Sequence, residues 1–172
     1  TGLYVGAPVG SRTTTDNLAI FGGTSWEDEQ KPAVSITSNG HSFQRKILSS
    51  SSGTTVTAIC AAREGATWRI VLTTDAGEVF STTDLFENVQ VSDQSFIARD
   101  IAHNGKNFVM VSGDAGEPRI VYTPDGISLH AASHGYGGAM HSVVATGQST
   151  VEAGKISLSS VVSWIHERAN MP

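Results

Sequence analysis

The chain has 172 residues, enough for one domain with a full core and too few for two comfortable ones. Only 16% of it is charged, against 18 glycines and many Ser and Thr, a composition that favours strands and tight turns and disfavours long helices. The net charge of −5 with scattered lysines (Lys31, Lys46, Lys106, Lys155) leaves no field to attract a nucleic-acid backbone, and no apolar run approaches the ~20 residues of a membrane-spanning helix.

The chain opens on Thr1-Gly2 without an initiator Met, which reads as a processed product or a segment of something longer. Period-2 and β-branched runs bounded by turn residues then divide it into four comparable units, near residues 1–48, 55–91, 97–131 and 140–168. In the first, strands over Leu18 to Gly22 and Ala33 to Thr37 flank a long polar hairpin tip that carries Trp26. The pair Gly22-Gly23 closing its strand implies close backbone packing or a bulge. Residues 49–55, rich in Ser, Gly and Thr, read as a connection between units.

The second unit predicts strands over Thr55 to Ala61, Trp68 to Thr73, Glu78 to Ser81 and Asn88 to Val91. Cys60 lies in its apolar first strand and is expected to pack as a small hydrophobe. The third unit repeats the plan with Ile97 to His103, Asn107 to Ser112, Arg119 to Tyr122 and a short strand near Leu129. In the fourth, residues 160–168 fit an outer strand or a short terminal helix, and periodicity leaves both open.

The units also share wording. Asp75-Ala76-Gly77-Glu78 recurs 39 residues on as Asp114-Ala115-Gly116-Glu117, and again, more faintly, as Glu152-Ala153-Gly154-Lys155. A period near 40 built from β-rich runs marks one supersecondary unit stamped out several times, as in propeller blades.

A polar residue also sits in the turn after each third strand: Thr37-Ser38-Asn39-Gly40-His41-Ser42-Phe43, Ser81-Thr82-Thr83-Asp84-Leu85-Phe86, Tyr122-Thr123-Pro124-Asp125-Gly126-Ile127-Ser128-Leu129 and, hardly matching, Ser159-Ser160-Val161-Val162-Ser163-Trp164. Such an Asn or Asp accepts hydrogen bonds from turn amides while Gly takes the φ > 0 position. Asn39, Gly40, Asp84, Asp125 and Gly126 are thus read as structural braces. The pattern resembles the Asp-box, or BNR repeat, of sialidase-like propellers, in a degenerate form. That resemblance implies an all-β propeller over residues 1–172, of about four blades of four antiparallel strands, or a partial propeller completed by other chains or by missing sequence.

Catalytic members of the family would bring three arginines to a substrate carboxylate, with a Tyr/Glu nucleophile and an Asp acid/base. Arg69, Arg99 and Arg119 do come from different strands, but the family's Arg-Ile-Pro signature is missing and its six blades exceed the room available. No catalytic, cofactor or metal site is therefore expected. His130, His134 and His141 gather in a glycine-rich connection lacking a Cys or carboxylate ligand, which favours exposed or packing histidines over zinc. The contact candidates are Trp26, His134, Tyr136 and His141, since long connections on a rigid scaffold are where partners are met.

The expectation is a non-catalytic scaffold or attachment module, similar to phage virion or tail propellers and so virion-borne or extracellular, with protein partners or a homo-oligomer. A glycan-binding lectin-like propeller comes second and a sialidase-like hydrolase fragment third. Neither nucleic acid nor membrane insertion is expected.

Overall fold

A computed structural model describes residues 2–5, 18–25, 30–48, 53–64, 67–112, 119–133, 140–145 and 161–162. The described residues contain strands, turns and bends and no helix. Strands β1 (Gly2–Val5), β2 (Leu18–Thr24), β3 (Pro32–Thr37) and β4 (Gln44–Ile47) form a first antiparallel sheet in chain order. The second sheet holds β5 (Val56–Glu64), β6 (Thr67–Thr74), β7 (Val79–Thr82) and β8 (Gln90–Val91). The third holds β9 (Asp100–His103), β10 (Phe108–Ser112), β11 (Arg119–Thr123) and β12 (His130–Ala131). A two-stranded pair, β13 (Val144–Ala145) with β14 (Val161–Val162), comes last. The chain is thus all-β, and its sheets are successive meanders, each built from one continuous stretch.

Period-2 alternation decides which face meets which neighbour. On β6, Ile70 and Leu72 pack against the first sheet, with Leu18, Ile20, Val34 and Ile36, while Val71 between them turns to the third, with Phe108, Met110 and Val121. Both faces of the second sheet are covered, so its strands read as near-continuous apolar runs. On β10, Val109 and Val111 point the other way, to Met140 and Val143. The sheets are stacked face to face like leaves, with three apolar layers between them.

Strand β5 carries an irregularity that sets its facing. Its register with β6 shifts between Val56 and Ala58, leaving Thr57 outside the pairing, where its hydroxyl lies 3.0 Å from that of Thr73. The extra residue reverses parity: Val56 and Ile59 both reach the first sheet, while Ala58, Cys60 and Ala62 face the third. Gly22 belongs to the same close approach, since a Cβ there would come 2.5 Å from Val56 Cγ1. Small side chains on β5 let it lie beside β9, just as β1 and β2 lie beside β5 and β9 lies beside β13. Larger residues, Phe80 and Phe86 among them, fill the layer further along the strands.

Several strand boundaries differ from the sequence expectation, and in three of them a backbone amide is already taken by another acceptor. The first strand of the third sheet begins at Asp100 rather than Ile97: the Phe96 amide donates to the Gly77 carbonyl (2.7 Å), and Phe96 and Ala98 are buried in the layer between sheets. Strand β8 is confined to Gln90–Val91 because the Asn88 amide is taken by Asp84. The outer strand of the third sheet forms at His130–Ala131, because Leu129 donates its amide to Gln94 Oε1 (2.9 Å).

Candidate functional site

Three turns, one per four-stranded sheet, share a construction. A Thr ends the third strand, and an Asn or Asp follows two residues later. In the first sheet Asn39 Oδ1 accepts the amides of His41 and Ser42, both at 2.9 Å, and Thr37 Oγ1 accepts the Gly40 amide at 2.9 Å. In the third, Asp125 Oδ1 accepts the amides of Ile127 and Ser128, both at 2.8 Å, and Thr123 Oγ1 accepts the Gly126 amide at 2.9 Å. Gly40 and Gly126 have φ of 74° and 78°, the left-handed region in which a Cβ is strained. The same amides therefore find the same acceptors at two places far apart in sequence.

The second sheet's turn is a wider variant. Asp84 accepts the Asn88 amide with both oxygens, at 2.9 and 3.1 Å, and the Asn88 side-chain amide at 2.7 Å. Leu85 and Phe86, with no Gly between Asp84 and the apolar residue, adopt φ of 57° and 68°. Burying Phe86 against the first sheet holds that strained pair.

These bonds move the carboxyls as hydrogen bonding to a charged form must. The Asn88 amide, then the Asn88 side chain and the Thr82 hydroxyl, lower Asp84 to about 2. For Asp125, burial pushes upward, but the amides of Ser128 and Ile127 and the hydroxyls of Ser128 and Thr123 outweigh it, so the group lies well below the usual carboxylate range. Both are fixed acceptors at neutral pH, not proton donors.

The Thr of each turn was not recognised from the sequence as half of the brace. Its signal was there, since Thr37, Thr82 and Thr123 each precede the Asn or Asp by two, and all three are buried. Equally unforeseen is the docking of one turn on the preceding sheet. The Asp125 carbonyl accepts from Ser81 Oγ (2.7 Å) and Arg69 (3.1 Å), while Glu64 holds the same guanidinium at 2.7 Å. Ser92 Oγ reaches the Ile127 carbonyl at 2.6 Å. The second sheet's turn likewise reaches back to the first through Lys46 and Glu87, 2.7 Å apart.

Of the three arginines considered for a carboxylate site, Arg69 is thus engaged in this clamp and Arg99 is an exposed residue whose amide donates to the Val111 carbonyl (2.8 Å). For Arg119 only the backbone is described. Trp26, His134 and Tyr136 lie outside the described residues. His141 is exposed, in a segment fixed to the third sheet where Asp100 Oδ2 accepts from Ser142 Oγ (2.7 Å) and the Val143 amide (2.9 Å). Among the described residues no three or more His, Cys, Asp or Glu are grouped to hold a metal ion. Cys60 is buried, and burial first, then the Asp100 charge, pushes its thiol up to about 12.

One described face of the first sheet carries apolar side chains at the surface. On the side of the first sheet turned away from the second, register aligns Phe21 with Ser35 and Ser35 with Arg45, and beside them Gly23 with Ala33 and Ala33 with Ile47. Phe21 is 48% exposed, Phe43 55% and Ile47 37%, and the two rings stand 6.1 Å apart. A recess of about 340 Å³ opens here, lined by Phe21, Ser35 and Arg45 among others. No protein-family model matches this chain, and no curated protein matches it.

Proposed function

We propose that the chain is an arc of a β-propeller serving as a non-catalytic scaffold or attachment module in a multi-subunit particle, as in a phage virion or tail. Successive meanders with first strand beside first strand, and a braced turn at the same place in each, support radial packing of repeated units. The observation that carries the reading is the outer face of the first sheet. The matching side of the second sheet, with Ile59, Ile70, Leu72 and Phe80, is covered by a neighbouring sheet. On the first sheet the same side presents Phe21, Phe43 and Ile47 to solvent.

The occupant proposed for that face is a second copy of this chain, set head to tail. Repetition supports it, because in both layers between four-stranded sheets the partner is another sheet of the same kind. Two copies of three to four units each fall within the typical 4–8 blades of a propeller. Light scattering on a size-exclusion column is the test: the wild type should exceed the 18.0 kDa of one chain, and a Phe21→Ser, Phe43→Ser variant should return to it. A wild-type monomer at every concentration overturns the assembly.

A second reading, a carbohydrate-binding propeller, rests on the recess itself, where an aromatic ring, a hydroxyl and a guanidinium converge as sugar recognition uses them. A glycan array with wild type and Arg45→Ala tests it. Binding by a monomer, lost in the variant, would favour the lectin over the assembly.

A further inference from the structure

We propose that Asn104-Gly105, in the turn between β9 and β10, is a self-modification site at which the His103 imidazole acts as base and Asn104 converts to aspartate and isoaspartate through a succinimide. The Gly105 amide donates to His103 Nδ1 at 3.2 Å, so the ring proton is on Nε2 and a lone pair faces the N–H to be removed. The ring is held by packing on Phe108, centroids 4.7 Å apart. Asn104 Oδ1 accepts the amides of Lys106 (3.1 Å) and Asn107 (2.8 Å), two donors where negative charge develops when the carbonyl carbon is attacked. Gly105 is exposed, at φ 91°, with nothing within 4 Å of where a Cβ would stand.

The chemistry balances with water alone. His103 takes the amide proton, the Gly105 nitrogen bonds to Asn104 Cγ, and the Cγ–Nδ2 bond breaks as ammonia leaves with that proton. Water then adds to either carbonyl of the five-membered ring, giving a normal or a β-linked aspartate. Burial holds His103 below its ordinary value, against the pull of the Glu64 charge from β5, so the base is neutral at neutral pH; the Cys60 thiol faces the same strand at the His103 backbone.

The chain carries its own control. Asn39-Gly40 is the same dipeptide in a turn of the same hand, with Oδ1 held by two amides at 2.9 Å. Its Gly40 amide, however, donates to the Thr37 hydroxyl, which has no basicity to offer. The two sites differ in the base.

Peptide mass spectrometry of the folded chain, aged at neutral pH and scored for amide-to-acid conversion and for isoaspartate, tests this. Conversion at Asn104 should outrun that at Asn39, and His103→Gln should slow it about 10-fold, less than the ~10²–10⁴ of general-base effects because the bond is long, leaving Asn39 unchanged. Equal rates at the two sites, or an unchanged Asn104 rate in the variant, overturn the proposal. Should the variant lose its fold, Asn39 would accelerate as well, and the wild type then decides. Its Asn104 conversion must level off with rising pH above the His103 titration while hydroxide continues to raise that of Asn39, and two rates that climb in parallel across that range overturn the proposal.

Discussion

Replacing Gly126 with Ala while replacing Gly40 with Ala separately isolates the docking of a braced turn from the turn itself. The two glycines share φ, 78° and 74°, so each substitution carries the left-handed penalty of roughly 1–2 kcal/mol. Around Gly40 nothing lies within 4 Å of the new methyl, and the cost ends there. Around Gly126 the methyl would come 2.6 Å from Val71 Cγ2, 2.7 Å from Ser81 Oγ and 2.8 Å from Ser81 Cβ, all on the second sheet. Relieving that overlap means moving the turn off the sheet, which overpacking experience puts at ~1–3 kcal/mol more. It also lengthens the Ser81 and Arg69 bonds to the Asp125 carbonyl. Gly126→Ala should therefore cost about 2–5 kcal/mol and Gly40→Ala about 1–2, out of a total stability on the order of 5–15. For a chain of this size the gap between them is roughly 2–12 °C in Tm. Urea unfolding or calorimetry of the two variants reads the difference directly. Equal losses would refute the inference that the third sheet's turn is seated on the second sheet.

Leu85→Gly should raise stability by up to ~1 kcal/mol, read as a higher urea midpoint, because Leu85 at φ 57° occupies the place that Gly40 and Gly126 fill in the other turns and is 38% exposed; an unchanged or lower midpoint counts against strain there. Thr123→Val should cost ~1–3 kcal/mol by stranding the buried Gly126 amide, whereas Thr123→Ser keeps the acceptor, so a double comparison by thermal melts separates hydroxyl from shape. Since hydrogen bonds hold Asp84 and Asp125 below their unfolded value near 3.9, their stabilisation is complete above about pH 4 and drains as pH falls through the folded values, toward about 2 for Asp84. Urea midpoints of the Asp84→Asn, Asp125→Asn variant should thus decline less steeply below pH ~4 than those of the wild type, and parallel acid limbs would contradict the assignment. The Cys60 thiol, pushed up to about 12 and buried, should resist alkylation until global unfolding, so rapid labelling of the native chain would place it elsewhere.

The all-β class and the strand succession were legible because their signals are local. Alternation on β6 and β10, Asn104-Gly105 between two apolar runs, and the Asn39, Asp84 and Asp125 turns all depend on residues a few positions apart. What escaped depends on sequence distance. Nothing near Arg69 announces that its guanidinium will meet a carbonyl 56 residues on, and nothing near Phe96 announces the Gly77 carbonyl. The strand end at Leu129 escaped for the same reason, since its amide goes to Gln94 Oε1 35 residues back, whereas at Asn88 a nearby acceptor, Asp84, outcompetes pairing in a stretch that reads as ordinary strand. The β5 irregularity was invisible as well, because Val56-Thr57-Ala58 reads as unbroken strand until Thr73 supplies a partner for the Thr57 hydroxyl.

That same division between local and distant cause bears on where a partner would bind. Braced turns are local hardware, complete within each unit, and their polar atoms are already spent on amides of their own chain, which leaves them little with which to select a ligand. The faces between sheets are the opposite case. A four-stranded sheet with one bare apolar side is stable only because another sheet covers it, and the second sheet, covered on both sides, has Ile70, Val71 and Leu72 essentially inaccessible. On the first sheet Ser35 and Arg45 lie in one row with Phe21, and with Phe43 also at the surface they make a face that tolerates water yet still loses free energy by meeting it. A contact surface that must exist both uncovered and covered requires that compromise, and a surface buried permanently during folding does not.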